Sequence, residues 1–201
     1  MESYSTIIVA FLTGVLGPIL IILVKNKLAS NKPVTDMLSD SLRIGELVTN
    51  KIDHIKEDFK ADRVWITQFH NGGHFYPTGK SIAKFSVIYE TVSSSTTSIQ
   101  MNFQNIPVNL FTKSMNRLLD KDIIEIPDYS DVEVATYGLK YIAEDTNCKS
   151  GYLFAIKTLD DKFIGILGLD YTKKKVKLSH EQITELAIDA SVLGGALIST
   201  H

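Results

Sequence analysis

The sequence predicts an α+β protein: an N-terminal transmembrane helix and a linking helix, then a domain in which a mainly antiparallel sheet is flanked by helices. Three observations predict it. Residues 3–24 carry no charged side chain. Apolar residues between Pro33 and Phe59 recur largely at spacings of three and four, the helical period. Beyond them, short β-branched and aromatic runs alternate with helical patterns and end in a hairpin and a capped helix. The 201 residues divide on this reading into an anchor with its flank (1–28), a linking amphipathic helix (29–60) and an α/β domain (61–201).

The run from Ser3 to Val24 is long enough to span a bilayer core, which takes roughly 20 mainly apolar residues. A cleaved signal peptide would start basic, carry a shorter apolar stretch and end in a small-x-small site. This chain starts with Glu2, and after Val24 only Ala29 offers half of such a site. Gly14, Gly17 and Pro18 are compatible with a span, where freed backbone groups are satisfied locally. Gly14 and Gly17 stand three apart, one short of the glycine dimer spacing. Lys25, Lys27 and Lys32 follow the run, and no Lys or Arg precedes it. By the positive-inside rule the protein is single-pass with its soluble domain in the cytoplasm. The lone Cys148 excludes an internal disulfide and suits a reducing compartment.

Pro33 fits the first turn of a helix, where its missing N–H costs nothing. The apolar stripe is Val34, Leu38, Leu42, Val48, Ile52, Ile55 and Phe59, interrupted by Ser41 and Lys51. Such a stripe can pack on its own domain or pair with a second copy as a homodimer. Residues 63–70 are β-rich, and Asn71-Gly72-Gly73 supplies turn chemistry at their end. Residues 85–92 make a second strand, 93–97 a polar loop and 98–103 a further strand. Pro107 opens a helix with Leu110, Phe111, Met115, Leu118 and Leu119 on one side. Residues 123–126 form a short strand stopped by Pro127, and a brief helix is expected over 132–143. Residues 152–157 and 163–171 read as a hairpin joined through Asp160-Asp161-Lys162. Gly165 and Gly168 in its second strand predict close packing against a helix. Ser179 and Gln182 form a capping box that starts the last helix. Its buried face is Ile183, Leu186, Ala187, Ala190, Leu193, Gly194 and Leu197, whose small residues predict tight packing on a sheet or a partner helix.

Composition excludes several functions. Net charge is −2 with signs mixed along the chain, and Lys173-Lys174-Lys175 reads as a solvated turn, so no nucleic-acid partner is expected. There is no phosphate-binding glycine loop and no Gly-x-Ser-x-Gly elbow. His70 and His74 supply two of the three or four ligands that zinc requires; His54, His180 and His201 are remote in sequence. Nothing around Cys148 suggests an activated nucleophile. The expectation is a non-enzymatic protein with no catalytic residue, metal or cofactor.

Residues 150–157, 162–171 and 178–182, leading into the Ala-rich helix, resemble the GAF domain family. Residues 61–72 fit that family's first strand. The resemblance covers about residues 40–201 and implies a sensory or recognition module that binds a small molecule or a protein partner, or dimerises. Three specialised activities of the family lose support. The Asn-Lys…Phe…Asp-Glu pattern of cyclic-nucleotide-binding members has no counterpart here. Bilin-binding members carry Cys followed by His, whereas Cys148 precedes Lys149. Members that reduce methionine sulfoxide need more than one cysteine.

The resemblance implies a pocket between the sheet and the loops that cover it. Candidate ligand-binding groups are Gln68, His70 and Asn71 beside the Gly72-Gly73 turn, Tyr89 and Glu90 on the next strand, and Asn102. Trp65, Tyr137 and Tyr141 are the candidates for stacking on the ligand. The bland alternative is a polar loop whose side chains satisfy nearby backbone. The layout of one span, a linking helix and a soluble α/β domain is also similar to the single-span phage holins. That likeness implies a lysis protein with its soluble domain in the periplasm, opposite to the side the lysines indicate.

Overall fold

Side-chain alternation places two cores in this protein, one on each face of a single sheet. The computed structural model describes residues 14, 16–30, 37–131 and 138–198. The chain divides into two compact units, residues 1–40 and 41–201. In the first, α1 (Gly17–Ser30) runs through Lys25 and Lys27. Leu16 and Ile19 to Val24 are all exposed. Most of the expected span, residues 1–13 and 15, lies outside the described residues, as do 31–36. Among the described residues no helix is long and apolar enough to cross a membrane.

Then follow α2 (Met37–Asp58), β1 (Arg63–His74), β2 (Ser81–Val92), β3 (Ile106–Pro107), α3 (Thr112–Lys121), β4 (Ile123–Ile126), α4 (Lys140–Asp145), β5 (Ser150–Lys157), β6 (Phe163–Tyr171) and α5 (His180–Ile198). The described strands form one sheet in the order β3-β2-β1-β6-β5-β4, every neighbouring pair antiparallel. Successive side chains of a strand point to opposite faces. Val64, Ile66, Phe154, Ile156, Leu167 and Leu169 enter one core with Ile44, Val48, Ile52 and Ile55 of α2 and Leu186, Ala190 and Leu193 of α5. Leu153, Ala155, Ile166 and Phe85 enter the other, with Met115 and Leu118 of α3 and Ala143 of α4. The α+β expectation of a mainly antiparallel sheet with helices on its faces is met.

Several elements depart from expectation for identifiable reasons. Leu38 and Leu42 are about two-thirds exposed at 67% and 66%. The buried stripe begins at Ile44, which lies about 200° around the helix from Leu42 at 3.6 residues per turn. From Ile44 onward α2 packs on its own domain. β1 does not stop at Asn71-Gly72-Gly73. The register shifts between Asn71 and His74, where Gly73 takes φ +100°, so the glycines make an irregularity inside the strand instead of its end. Residues 98–103 form turns, not a strand. The Glu90 carboxylate accepts the Ile99 and Gln100 N–H groups at 2.8 and 3.0 Å, taking the place of a ladder partner. After Pro107 a 3₁₀ turn over Val108–Phe111 precedes α3. Phe111, Met115 and Leu118 are buried there, whereas Leu110 and Leu119 are exposed. Of the helix expected over 132–143, residues 132–137 lie outside the described residues, and α4 occupies 140–145.

The β5–β6 hairpin and the capping box form as predicted: Gln182 Oε1 accepts Ser179 N–H at 2.9 Å, and Ser179 Oγ accepts Gln182 N–H at 3.3 Å. Ala187 is exposed, unlike the rest of the expected α5 face. A β-carbon at Gly194 would fall 2.1 Å from the Lys157 carbonyl oxygen, so the small residue lets α5 press on β5. Gly165 and Gly168 pack against β1, not a helix: a β-carbon at either would meet the Thr67 backbone or the Trp65 ring at 2.1 Å.

Candidate functional site

Arg63 opens β1 and pairs across the sheet with Asp170 near the end of β6. Trp65 lies two residues on, on the same face, with Gly168 as its cross-strand neighbour. The missing side chain at 168 is what lets the indole lie over β6. Arg63 Nε donates to Asp170 Oδ2 at 2.7 Å, and Trp65 Nε1 donates to the same oxygen at 2.9 Å. Arg63 Nη1 donates to the Thr97 carbonyl at 2.9 Å. Arg63 is 1% exposed and Asp170 4%, so the charges sit inside the domain and satisfy each other.

Gly151 faces Asp170 across β5–β6, and a β-carbon there would lie 2.9 Å from Tyr129 Oη and 3.1 Å from Asp170 Oδ1. Tyr129 therefore reaches the floor formed by the pair. Burial, reinforced by the Asp170 charge, pushes its phenol well above the ordinary tyrosine range. Cys148 Sγ donates to the Ser150 carbonyl at 3.3 Å. Burial first, then the Asp170 charge, pushes this thiol far up, so it stays protonated at neutral pH.

Over this floor Val87, Ile99, Phe111, Met115, Leu118 and Leu153 enclose a cavity of about 60 Å³. Its walls come from β1, β2, the 99–103 turns, α3, α4 and β5–β6. The polar atoms that reach it are engaged: Thr67 Oγ1 accepts the Ile166 N–H at 3.1 Å. No described buried side-chain N or O lacks a hydrogen-bond partner. Among the described residues no group of three or more His, Cys, Asp and Glu is placed to hold a metal. Chemically, the space suits a compact apolar guest.

The candidate residues scatter. Trp65 lines the cavity. Tyr89 pairs with Ile66 and packs in the opposite core beside Gly45. Gln68 shares the parity of Val64 and Ile66, away from the cavity. His70 Nε2 lies 3.0 Å from Ser86 Oγ, and His70 and Asn71 sit on the exposed part of β1. Glu90 holds the turn that carries Ile99 into the cavity wall. Asn102 is exposed. Tyr137 and the Tyr141 side chain lie outside the described residues. Sequence reasoning missed Arg63, Asp170, Tyr129 and the place of Cys148. The signal was available for the first two: each is the one Asp, Glu, Lys or Arg of its strand, at or beside the strand's end, and the strands are neighbours.

Neither the family profiles nor the curated proteins compared with this chain match it. Solved structures do. A far-red cyanobacteriochrome photoreceptor superposes with a TM-score of 0.62 at 15% identity, over 87% of this chain and 95% of that one. The phycocyanobilin-bound GAF domain of a cyanobacterial phytochrome gives 0.61 at 16%, over 82% and 93%. The PixJ GAF domain of Thermosynechococcus elongatus, in its blue-light-absorbing form, gives 0.60 at 14%, over 78% and 86%. The fold is that of a GAF domain.

Proposed function

We propose that the chain is a membrane-tethered, non-enzymatic recognition module whose cavity takes a compact, mainly apolar small molecule. The cavity carries the reading: it lies between the sheet and its α3–α4 cover, with apolar walls and a floor whose charges are already paired. Similarity to photoreceptor GAF domains supports a sensory role. A bilin like that of the phycocyanobilin-bound neighbour is disfavoured for two reasons. About 60 Å³ is far below the roughly 300–1,000 Å³ of sites for drug-sized ligands. The Cys148 thiol is held protonated, and no histidine follows it to match the bilin-attachment pair. A cavity near 150 Å³ admits a benzene-sized guest, so the ligand here is smaller or widens the site modestly.

The test is a small-molecule thermal-shift screen on the protein and on Val87→Phe, which fills the cavity. Ligands should raise the melting temperature of the parent and not of the variant. Equal response of both proteins would overturn the reading. Co-expression with bilin synthesis should give colourless protein.

Tethering is supported by the uncharged run 3–24 and by the exposed apolar side chains of its described part, a surface that needs cover. The lysine flank supports a cytoplasmic domain, and exposed Leu38 and Leu42 leave apolar surface for a second copy. A topology reporter fused after His201 should be active in the cytoplasm; a periplasmic signal would favour the holin-like reading.

A further inference from the structure

β1 and β2 run on past the rest of the sheet. β1 pairs with β6 from Arg63 to Gln68, whereas its pairing with β2 continues to His74 and Ser81. β3 meets β2 at Lys84 and Phe85. Residues 71–83 thus form an arm whose outer edges pair with no other described strand. Its turn is closed by Phe75 N–H to the Lys80 carbonyl and Gly79 N–H to the Phe75 carbonyl, both 2.8 Å. That turn holds two aromatics away from any core: Tyr76 is 97% exposed and Phe75 50%. No Asp or Glu occurs between Asp62 and Glu90, while Lys80 closes the tip and Lys84 stands at the base of the arm, its stem over Gly72.

The geometry points to the arm as a second membrane contact, in which Phe75 and Tyr76 enter the interfacial layer of a bilayer bearing anionic lipid. An apolar ring with a polar hydroxyl suits that layer. The lysine stems lie along apolar surface while their ammonium groups reach headgroup phosphates. With no carboxylate on the arm, its whole length meets a negative surface without repulsion. The proposed tether keeps lipid at high local concentration, so a contact too weak to bind alone is populated. To that extent the inference rests on the tethering reading.

Two readouts separate the two. The full chain is reconstituted in nanodiscs with brominated acyl chains, with and without phosphatidylglycerol, and its recovery with the discs reports the tether. The emission of a Tyr76→Trp variant, less that of the parent, reports the arm. The new indole should shift to the blue and lose emission in anionic discs. Both effects should fade in neutral discs, at high salt and in a Lys80→Glu/Lys84→Glu background. Unchanged emission from protein that travels with the discs overturns the arm proposal and leaves the tether standing. If the chain stays out of the discs, the same variant is mixed with brominated anionic vesicles, where unchanged emission again overturns it. Burial of the arm against a protein instead, read as loss of lipid quenching when self-association protects the new indole, overturns it too.

Discussion

Asp170 accepts two donors on one oxygen, from Arg63 and from Trp65, and the indole's approach depends on the missing side chain at Gly168. Truncating one member of a buried ion pair strands the other charge, which costs about 3–5 kcal/mol. Arg63→Met and Asp170→Leu should each lower the denaturation midpoint in urea accordingly, whereas the double variant should lose clearly less than the sum. Additive losses would show that the pair is not coupled. Asp62 plays a different part at the same edge. Its carboxylate accepts the Thr172 and Lys173 N–H groups at 2.8 and 3.1 Å, and Lys173 Nζ sits 2.9 Å away. Burial opposes its ionisation, but the Lys173 ammonium and those backbone bonds together outweigh it, so the folded pKa lies below the ordinary value. The unfolded reference is about 3.9. The linked stability is therefore complete above that value and is lost as pH falls through the lower, folded one. Asp62→Asn should lower stability near pH 7 and flatten the acid limb of a stability-against-pH curve. A parallel, unflattened limb would remove Asp62 from the linkage.

Adjacent positions on α5 separate two roles of glycine. A β-carbon at Gly194 meets the Lys157 carbonyl at 2.1 Å, while at Gly195 it meets nothing within 4 Å. Gly195→Ala should stabilise by about 0.5–1 kcal/mol, the helix-propensity difference. Gly194→Ala should destabilise, because backbone must move; thermal melts of the two variants should shift in opposite directions. Elements whose signals are local were legible in the sequence: the capping box at Ser179, the β5–β6 hairpin and β4 before Pro127. Elements decided by tertiary partners were not. Asn71-Gly72-Gly73 read as a turn, but pairing with β2 carried the strand through them. Residues 98–103 looked extended, but one carboxylate at Glu90 bent them into turns. The α2 stripe was read one face off at its start, because Leu38 and Leu42 are as apolar as Ile44 and only the sheet distinguishes them.

At the scale of the molecule, the cavity was harder to read than the fold, because its walls converge from six stretches of chain and its floor is made by cross-strand neighbours far apart in sequence. Polar residues drew the search toward Gln68, His70 and Asn71, yet strand parity turns Gln68 to the other face and the arm carries His70 and Asn71 outward. The division of the chain is sharper. Every α2 side chain in the core comes from Ile44 or later, and contacts cluster into residues 1–40 and 41–201. A chain beginning at Ser41 keeps both cores and the cavity, whereas the full chain adds the exposed apolar side chains of α1. Residues 41–201 should therefore unfold cooperatively without detergent, with a melting temperature near that of the full chain in detergent. Removal of Leu38 takes away surface already exposed to solvent, so little core energy goes with it. The full chain should need detergent or lipid to stay dispersed. If residues 41–201 lose their cooperative melt, residues 1–40 contribute to the domain core and the boundary is misplaced. If the full chain stays monodisperse in plain buffer, the apolar run is covered by protein, and tethering fails while the cavity reading survives.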